Sequence, residues 1–426
     1  MIDESQEISI GEVENWTEKL LSAFPALKHK NYQLYFFGQL ISLIGMWLQR
    51  VAQGWLIFQL TNSAFWVGTV TGLSTLPILI FGLFGGVIVD RFPKKRILYF
   101  TQSSSMILAF LLGIFTIAGN ANVINISILA FMLGIVDAID KPARQSFAVE
   151  MVGKEDLDSA IALNSGIFNA ARVLGPASAG ILIAFFGTGL AFILNAISFI
   201  PVIIALYYIR IKETLPKSNP HPLLAIKEGL IYSYLHKPIR NLLIFSGFVS
   251  IFGWSHITIM PVIAKNSFQA DAQGLGYLYA FSGLGAFIGA IFISAYSKKI
   301  NYIKFIIVGN ILFSIPIIIF SFTNNLIVAF PFLFLSGLGL IMQFSVINSA
   351  IQHMVDDKIR GRVMSIYVLM AIGTSPIGSF QIGLIADNFG TFIAISAGAI
   401  IMLISGFLLF MNMVNVNTKY ELTPSR

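Results

Sequence analysis

Runs of about twenty apolar residues recur along nearly all of this chain, separated by short polar turns, and this spacing constrains the fold more than any other feature. A helix crosses the hydrocarbon of a bilayer in about 20 residues, and inside lipid every backbone amide and carbonyl must find its partner within the protein. The strand alternation of outer-membrane barrels is missing, which leaves an all-α membrane protein. A mean hydropathy of +0.81, with 56% hydrophobic and only 11% charged residues among 426, excludes an ordinary water-soluble domain. Twelve transmembrane helices are expected, at 32–60, 65–89, 97–118, 124–143, 159–185 and 189–209, then at 239–264, 273–296, 303–322, 327–349, 362–386 and 391–413.

These spans divide the chain into five parts. Residues 1–30 form a cytosolic leader rich in acids (Asp3, Glu4, Glu7, Glu12, Glu14, Glu18), which lacks the basic start of a cleavable signal. Trp16, Leu20, Leu21 and Phe24 recur there at helical spacing, fitting either an interfacial amphipathic helix or a disordered leader. Residues 31–209 are a first six-helix half. Residues 210–238 are a cytosolic linker with Pro216, Pro220 and Pro222, in which Leu223, Ile226, Leu230 and Tyr234 share one face of an amphipathic helix. Residues 239–413 are a second half, and 414–426 a cytosolic tail.

The bases fall on one side: Lys28, Lys30, the cluster at 91–96, Lys141, Arg144, Lys154, the linker bases, Lys298, Lys299, Lys304, Lys358, Arg360 and Arg362, with Lys265 nearly alone opposite. Positive loops stay in the cytosol, so both termini are expected there, and the net charge of +7 needs no nucleic acid to explain it. With no cysteine and no metal-ligand spacing among five histidines, neither disulfide nor metal is expected.

Between spans two and three stands GGVIVDRFPKKR, residues 85–96. Asp90 sits at a helix end ahead of a basic cluster, and Gly86 is expected to let two helices approach closely. Gly86, Asp90, Arg91, Lys94 and Lys95 resemble the signature loop between helices 2 and 3 of the major facilitator superfamily, with Pro93 in place of that pattern's second glycine. An internal repeat agrees with the resemblance. Ser42 and Gly45 recur as Ser250 and Gly253, Gly68 as Gly276, Lys94-Lys95 as Lys298-Lys299, and Gly180 with Gly187-Thr188 as Gly383 with Gly390-Thr391. The family implies two parallel six-helix halves about a central cavity, rocking in alternating access. Ser294 and Ala295 stand where the first half has Asp90 and Arg91, so the latch is expected to be stronger on the first-half side.

In span five, ALNSGIFNAARVLGPASAG resembles the helix-5 motif of major-facilitator antiporters through Gly175, Pro176, Ala179 and Gly180, which implies export. Further stretches (SLIGMWLQRVAQGWLIFQLTNSAFWVG, PARQSF, KEGLIYSYLHKPIRN, IRGRVMSIY) are similar to the transmembrane secretion effector branch. That branch contains the enterobactin exporter, other siderophore secretion proteins and macrolide-type drug efflux proteins.

Charges within spans are costly and mark function by default. Arg50 in span one and Arg172 in span five, the latter in a stripe with Asn164 and Phe168, have no acidic partner nearby in sequence. Each can bond backbone carbonyls instead, but the reading favours a cavity-facing pair that selects an anion. Asn164, Gln53, Trp254 and Gln343 complete the expected substrate-binding set.

Asp137 and Asp140 share a face of span four, with Lys141 and Arg144 four residues beyond each. They form either a salt-bridge ladder or the proton carrier of exchange, the deeper Asp137 first. His256 in span seven is the third proton-coupling candidate, with a packing histidine as its alternative.

Neither a nucleotide-binding loop nor a nucleophile constellation occurs, so no enzyme and no cofactor are expected, and the proton gradient is the expected energy source. The expected function is secondary active export of a siderophore of carboxylate or other anionic type by proton antiport, from the bacterial cytoplasmic membrane, as a monomer. Macrolide-type drug efflux and lipid translocation are its alternatives.

Overall fold

A computed structural model describes residues 22, 24–211, 222–296, 301–356 and 359–414; the side chains of Leu83, Asp90, 222–226, 295–296 and Val414 fall outside that description. The leader residues Trp16 to Leu21, the linker prolines Pro216 and Pro220, and the Lys298-Lys299 repeat also lie outside it.

All described secondary structure is helical. In the first half α1 (Lys30–Thr61), α2 (Ala64–Arg91), α3 (Lys94–Ile117), α4 (Val123–Val152) and α5 (Leu157–Tyr208) are joined by turns of two to five residues. Linker helix α6 (Pro222–Leu235) leads to α7 (Lys237–Phe248), which continues through short helical pieces to Asn266. Then come α8 (Ala272–Tyr296), α9 (Tyr302–Ser321), α10 (Leu326–Met354), α11 (Arg360–Val368) and α12 (Ser375–Val414). Among the described residues, ten helical stretches are long and apolar enough to cross a membrane.

Two of those ten, at 52 and 54 residues, are too long for one crossing. A straight helix of that length would reach about 78 Å at 1.5 Å per residue, against a hydrocarbon layer of about 30 Å. In α5 the helix breaks at Gly187 (φ 78°, ψ 172°), a left-handed conformation that a side chain would strain. Both arms of α5 pack on α1, in opposite senses. Before the bend, Ala160 meets Tyr32 and Gly175 meets Trp47; after it, Asn195 meets Gly45 and Val202 meets Gly38. Gly187 is therefore the tip of a hairpin. Gly390 (φ 85°) does the same in α12, where Thr391, Gly398 and Met413 run back along Ser267, Phe252 and Asn241.

The halves meet through glycine pairs related by the internal repeat. A Cβ on Gly68 would lie 2.9 Å from the Gly383 Cα, and one on Gly180 would lie 3.0 Å from the Gly276 Cα. The amide of Ala64 adds a hydrogen bond to Asp387 Oδ1 at 2.8 Å. Gly54 faces Pro261, and Gly283 faces the Arg172 carbonyl. Among the described residues these approaches cluster toward the end of the bundle that bears the Gly187 and Gly390 bends, so the molecule is closed at that end.

The signature loop differs from expectation in two ways. Gly86 has no neighbour within 4 Å of an added Cβ, and the close approach is made by Gly85, whose Cβ would fall 2.2 Å from the Ala138 carbonyl oxygen on α4. Successive helix residues are turned by about 100°, so only one of the two glycines faces α4. Lys94 is not a solvated loop base: it is buried, with Nζ 3.2 Å from Glu150 Oε1 at the end of α4. Lys95 donates to the Ile209 carbonyl at 2.8 Å. Arg91 is exposed. In the linker, Glu228 of α6 pairs with Arg362 at the start of α11, leaving Leu230 and Tyr234 exposed on the face expected to meet the membrane.

The paired glycines make the closed end a matter of about one methyl group. Gly68→Ala would press a Cβ to 2.4 Å from the Ser379 carbonyl oxygen, an overpacking cost of about 1–3 kcal/mol charged to this state alone. The chain has no cysteine of its own, so a cysteine placed at Ser379, 5% exposed, reports closure cleanly. Its reaction with a membrane-impermeant thiol reagent should quicken about tenfold in the Gly68→Ala background; an unchanged rate would show that the glycine contact does not hold the seam.

Candidate functional site

The site is built at mid-membrane, where α5 of the first half meets the segment after α7. There α7 widens into a single π-turn, Val249–Gly253, closed by the Trp254 amide donating to the Val249 carbonyl at 3.1 Å. Such a bulge redirects the next side chain, and here that is Trp254. Arg172 reaches it across the seam, its guanidinium carbon 4.5 Å from the Trp254 ring centroid. On the other side Trp47 of α1 lies 5.9 Å from Arg172 and 4.9 Å from Arg50. Aromatic rings continue outward, with Phe168 edge-on to Trp47 at 5.8 Å and Phe344 edge-on to Trp254 at 6.3 Å.

Arg172 is only 5% exposed, and its Nη2 has no hydrogen-bond partner, nor has Trp47 Nε1. Aromatic faces stabilise a guanidinium by about 0.5–2 kcal/mol but supply no acceptor for its N–H groups. Two buried donors left open beside one another form a receptacle for an acceptor. Arg50 is solvent-accessible and interacts electrostatically with Asp137 and Arg144 on α4 and with Arg172. Lys141, Arg50 and Arg144 act on Asp137, Arg144 pairs with Asp140, and Arg172 interacts with Arg50, so four bases accompany two acids in this connected group.

The two aspartates have different surroundings. Asp140 is 1% exposed and accepts from Thr101 Oγ1 at 2.6 Å and Gln102 Nε2 at 2.8 Å on α3, besides pairing with Arg144. It ties α3 to α4 and has no lone pair idle. Asp137 makes one ion pair, to Lys141 at 3.2 Å, with side chains 18% and 40% exposed. The ladder is present, and Asp137 is the rung that water reaches.

Of the other expected residues, Trp254 joins the cluster, and Gln53, half-buried, lies one turn beyond Arg50. Asn164 is held elsewhere, with Oδ1 3.1 Å from the Tyr32 hydroxyl at the seam of α1 and α5. Gln343 is 0% exposed, its amide atoms lacking partners, packed on Gly309 between α9 and α10. Its place has a reason. Gly134 packs on the Ser74 carbonyl as Gly337 packs on that of Ser282, so Gln343 is the second-half counterpart of Asp140, with charge removed. His256 is 2% exposed, with Nδ1 2.8 Å from the Gly253 carbonyl and its ring against Phe313 at 5.6 Å. Gly175 and Pro176 are buried against α1 and α8, while Gly180 touches the second half.

The partners that sequence reasoning missed are Thr101 and Gln102 on Asp140, Glu150 on Lys94, and Trp47 between the arginines. All but the Trp47–Arg50 contact join different helices, and no local spacing announces them.

Asp140→Asn would leave half-buried Arg144 against a neutral group, at a cost of up to about 3–5 kcal/mol, the range for a broken buried pair. Asp137→Asn removes a partly solvated pair, worth about 0–1 kcal/mol. Thermal unfolding in detergent should therefore drop sharply for Asp140→Asn and barely for Asp137→Asn; equal losses would refute the division of roles.

A family model described as transmembrane secretion effector matches residues 21–426. The staphyloferrin A transporter of Staphylococcus aureus is 27% identical over 84% of this chain and 90% of its own length. The enterobactin exporter EntS of Escherichia coli is 22% identical over 93% and 94%, and the multidrug efflux pump Tap of Mycolicibacterium fortuitum 22% over 85% and 91%. Among solved structures, an inward-facing bacterial homologue of the human lysosomal transporter Spinster superposes with a TM-score of 0.73 at 14% identity, covering 92% of this chain and 98% of that one. A peptide transporter of the POT type gives 0.73 at 14%, covering 92% and 95%. These relatives are transporters and not enzymes. With the fold, the repeat and the family match over nearly its whole length, the chain belongs to the transmembrane secretion effector family of the major facilitator superfamily.

Proposed function

We propose that this protein exports a small organic anion, a siderophore of carboxylate type in the first instance, by proton antiport. The ten membrane-length helices, two of them folded back at Gly187 and Gly390, support twelve crossings. The loop bases support termini in the cytosol of a bacterial inner membrane, in which case the closed end faces outward and the central space receives substrate from inside. Arg172 carries the reading: a dehydrated guanidinium with an open donor, beside Arg50 and without a carboxylate of its own, fits a planar bidentate anion. Likeness to the staphyloferrin A transporter and the enterobactin exporter agrees with it.

Substrate release requires the halves to part at the Gly68–Gly383 and Gly180–Gly276 contacts, and with them the Arg172–Trp254 stack. A bound anion bridging Arg50 and Arg172 would replace that stack, so cargo and opening are linked. Asp137 is the proposed proton carrier, because it is water-accessible and electrostatically coupled to Arg50. Asp140, fully engaged, is the second candidate, and His256 the third. No cofactor is invoked, and a monomer suffices.

Drug efflux is the second reading, favoured by the aromatic wall of Trp47, Phe168, Trp254 and Phe344 and by likeness to Tap. Quenching of tryptophan fluorescence separates the two. A polycarboxylate siderophore should bind wild type, and Arg172→Gln should weaken it about tenfold to a hundredfold, the loss of one charge-assisted bond. Arg172→Lys should rescue little. A cationic macrolide binding more tightly than the anion, or an anion indifferent to Arg50→Gln and Arg172→Gln alike, would turn the assignment to drug efflux.

In inverted vesicles, Asp137→Asn should abolish uptake driven by a pH gradient while binding persists. Gradient-driven uptake surviving in Asp137→Asn would move the proton to His256 or Asp140.

A further inference from the structure

The outer face of α3 carries a groove that transport does not use. It holds about 540 Å³ and is lined by Lys95, Arg96, Tyr99, Phe100 and Ser103. These positions lie on one helical face and span about 12 Å along the axis. The face turns away from the bundle: Phe100 is 70% exposed and Tyr99 45%, whereas Ile97, Leu98, Thr101 and Gln102 are buried against neighbouring helices. The bases thus sit at the end of the span, where a bilayer has its headgroups, and Phe100 and Ser103 lie deeper, toward the acyl chains.

Lys95 is fixed in this groove. Its ammonium gives one proton to the Ile209 carbonyl at the end of α5, at 2.8 Å, and has two more to give. Arg96 has a partner within the protein, and its planar fork of five donors is wide enough to serve phosphate oxygens as well. Just before Ile209, Tyr207 and Tyr208 are exposed and packed edge to face at 5.4 Å. They form an aromatic shelf at the same level, as residues at a membrane interface do.

The fold does not require this chemistry. α3 begins at Lys94 and its repeat counterpart α9 at Tyr302, so the positions of Tyr99, Phe100 and Ser103 are held in the second half by Ile307, Val308 and Ile311. Two helices equivalent in packing therefore differ on their lipid-facing side. One has a single base, Lys304, above aliphatic surface, and the other carries two bases, a phenol and a hydroxyl around a cavity.

We propose that the α3 groove is a binding site for one anionic phospholipid, the phosphate held by Lys95 and Arg96, the glycerol and ester oxygens beside Tyr99 and Ser103, and an acyl chain along Phe100. A lipid suits the groove better than a free phosphate, because the polar end opens onto an apolar wall that an inorganic ion would leave unused. The site goes beyond the transport reading and stands or falls without it.

Native mass spectrometry of the full chain, released from mixed phosphatidylglycerol and phosphatidylcholine micelles, counts retained lipids and gives the affinity of each. The first phosphatidylglycerol should bind more tightly than phosphatidylcholine. Lys95→Gln with Arg96→Gln should weaken it about thirtyfold, from about tenfold or less per base near an anionic headgroup. Lys304→Gln, at the second-half counterpart of Arg96, should leave it unchanged. Inorganic phosphate should not displace it.

Because Lys95 also caps α5 and Arg96 has a partner within the protein, the base variants have a folding risk that Tyr99→Ala does not share; Tyr99→Ala should weaken phosphatidylglycerol about fivefold or more. Wild-type affinity in the folded variants, equal binding of phosphatidylcholine, or displacement by phosphate alone would each overturn the site.

Discussion

Helices in lipid gain nothing by hiding apolar side chains from one another, since acyl chains are as apolar as leucine; what holds them is close contact of backbones and a few polar bonds. The whole bundle depends on that constraint. Gly38, Gly45 and Gly175 let the two arms of α5 lie against α1, Gly85 and Gly134 seat α2 on α4, and Gly285 and Gly337 repeat the arrangement with α8 and α10. The same device, used between the halves at Gly68–Gly383 and Gly180–Gly276, makes a seam of close backbone contacts, with the Ala64 amide bonded to Asp387 beside them. Its contacts are short-ranged, so a small separation of the two backbones is enough to break them.

Charge is distributed unequally over this nearly symmetric frame. The first half has a carboxylate hub at Asp140, with Thr101, Gln102 and Arg144 around it, and a second acid at Asp137 that water reaches. The second half has Gln343 in the place of the hub, and its described core holds neutral groups such as Asn310, Ser314 and His256. One half therefore carries the electrostatics and the other offers aromatic surface. Arg172 joins them, reaching from the charged half onto Trp254 of the neutral one.

That contact spans the seam between the halves. A guanidinium between two indoles is stabilised enough to be buried, yet its N–H groups still want oxygen. A carboxylate supplies what the rings cannot. The aromatic residues thus hold the cation where the two halves meet.

The membrane class, the approximate bounds of the helices and the internal repeat were legible in the sequence, because apolar length and the recurrence of Gly68, Gly180, Gly187 and their repeat counterparts are properties of the chain read in one dimension. The ladder of Asp137, Asp140, Lys141 and Arg144 was legible too, since helical spacing alone puts those groups together. What the sequence left open was decided by contacts between helices far apart in the chain. Gly85 and not Gly86 is the glycine that faces α4; Asn164 is taken by Tyr32; Gln343 is sealed between α9 and α10; Asp140 is a hub and not an idle acid. Each of these turns on the rotation of a helix about its axis, a matter of about 100° per residue. Periodicity read along one helix does not settle that angle when lipid and protein are equally apolar, so only the packed bundle selects it.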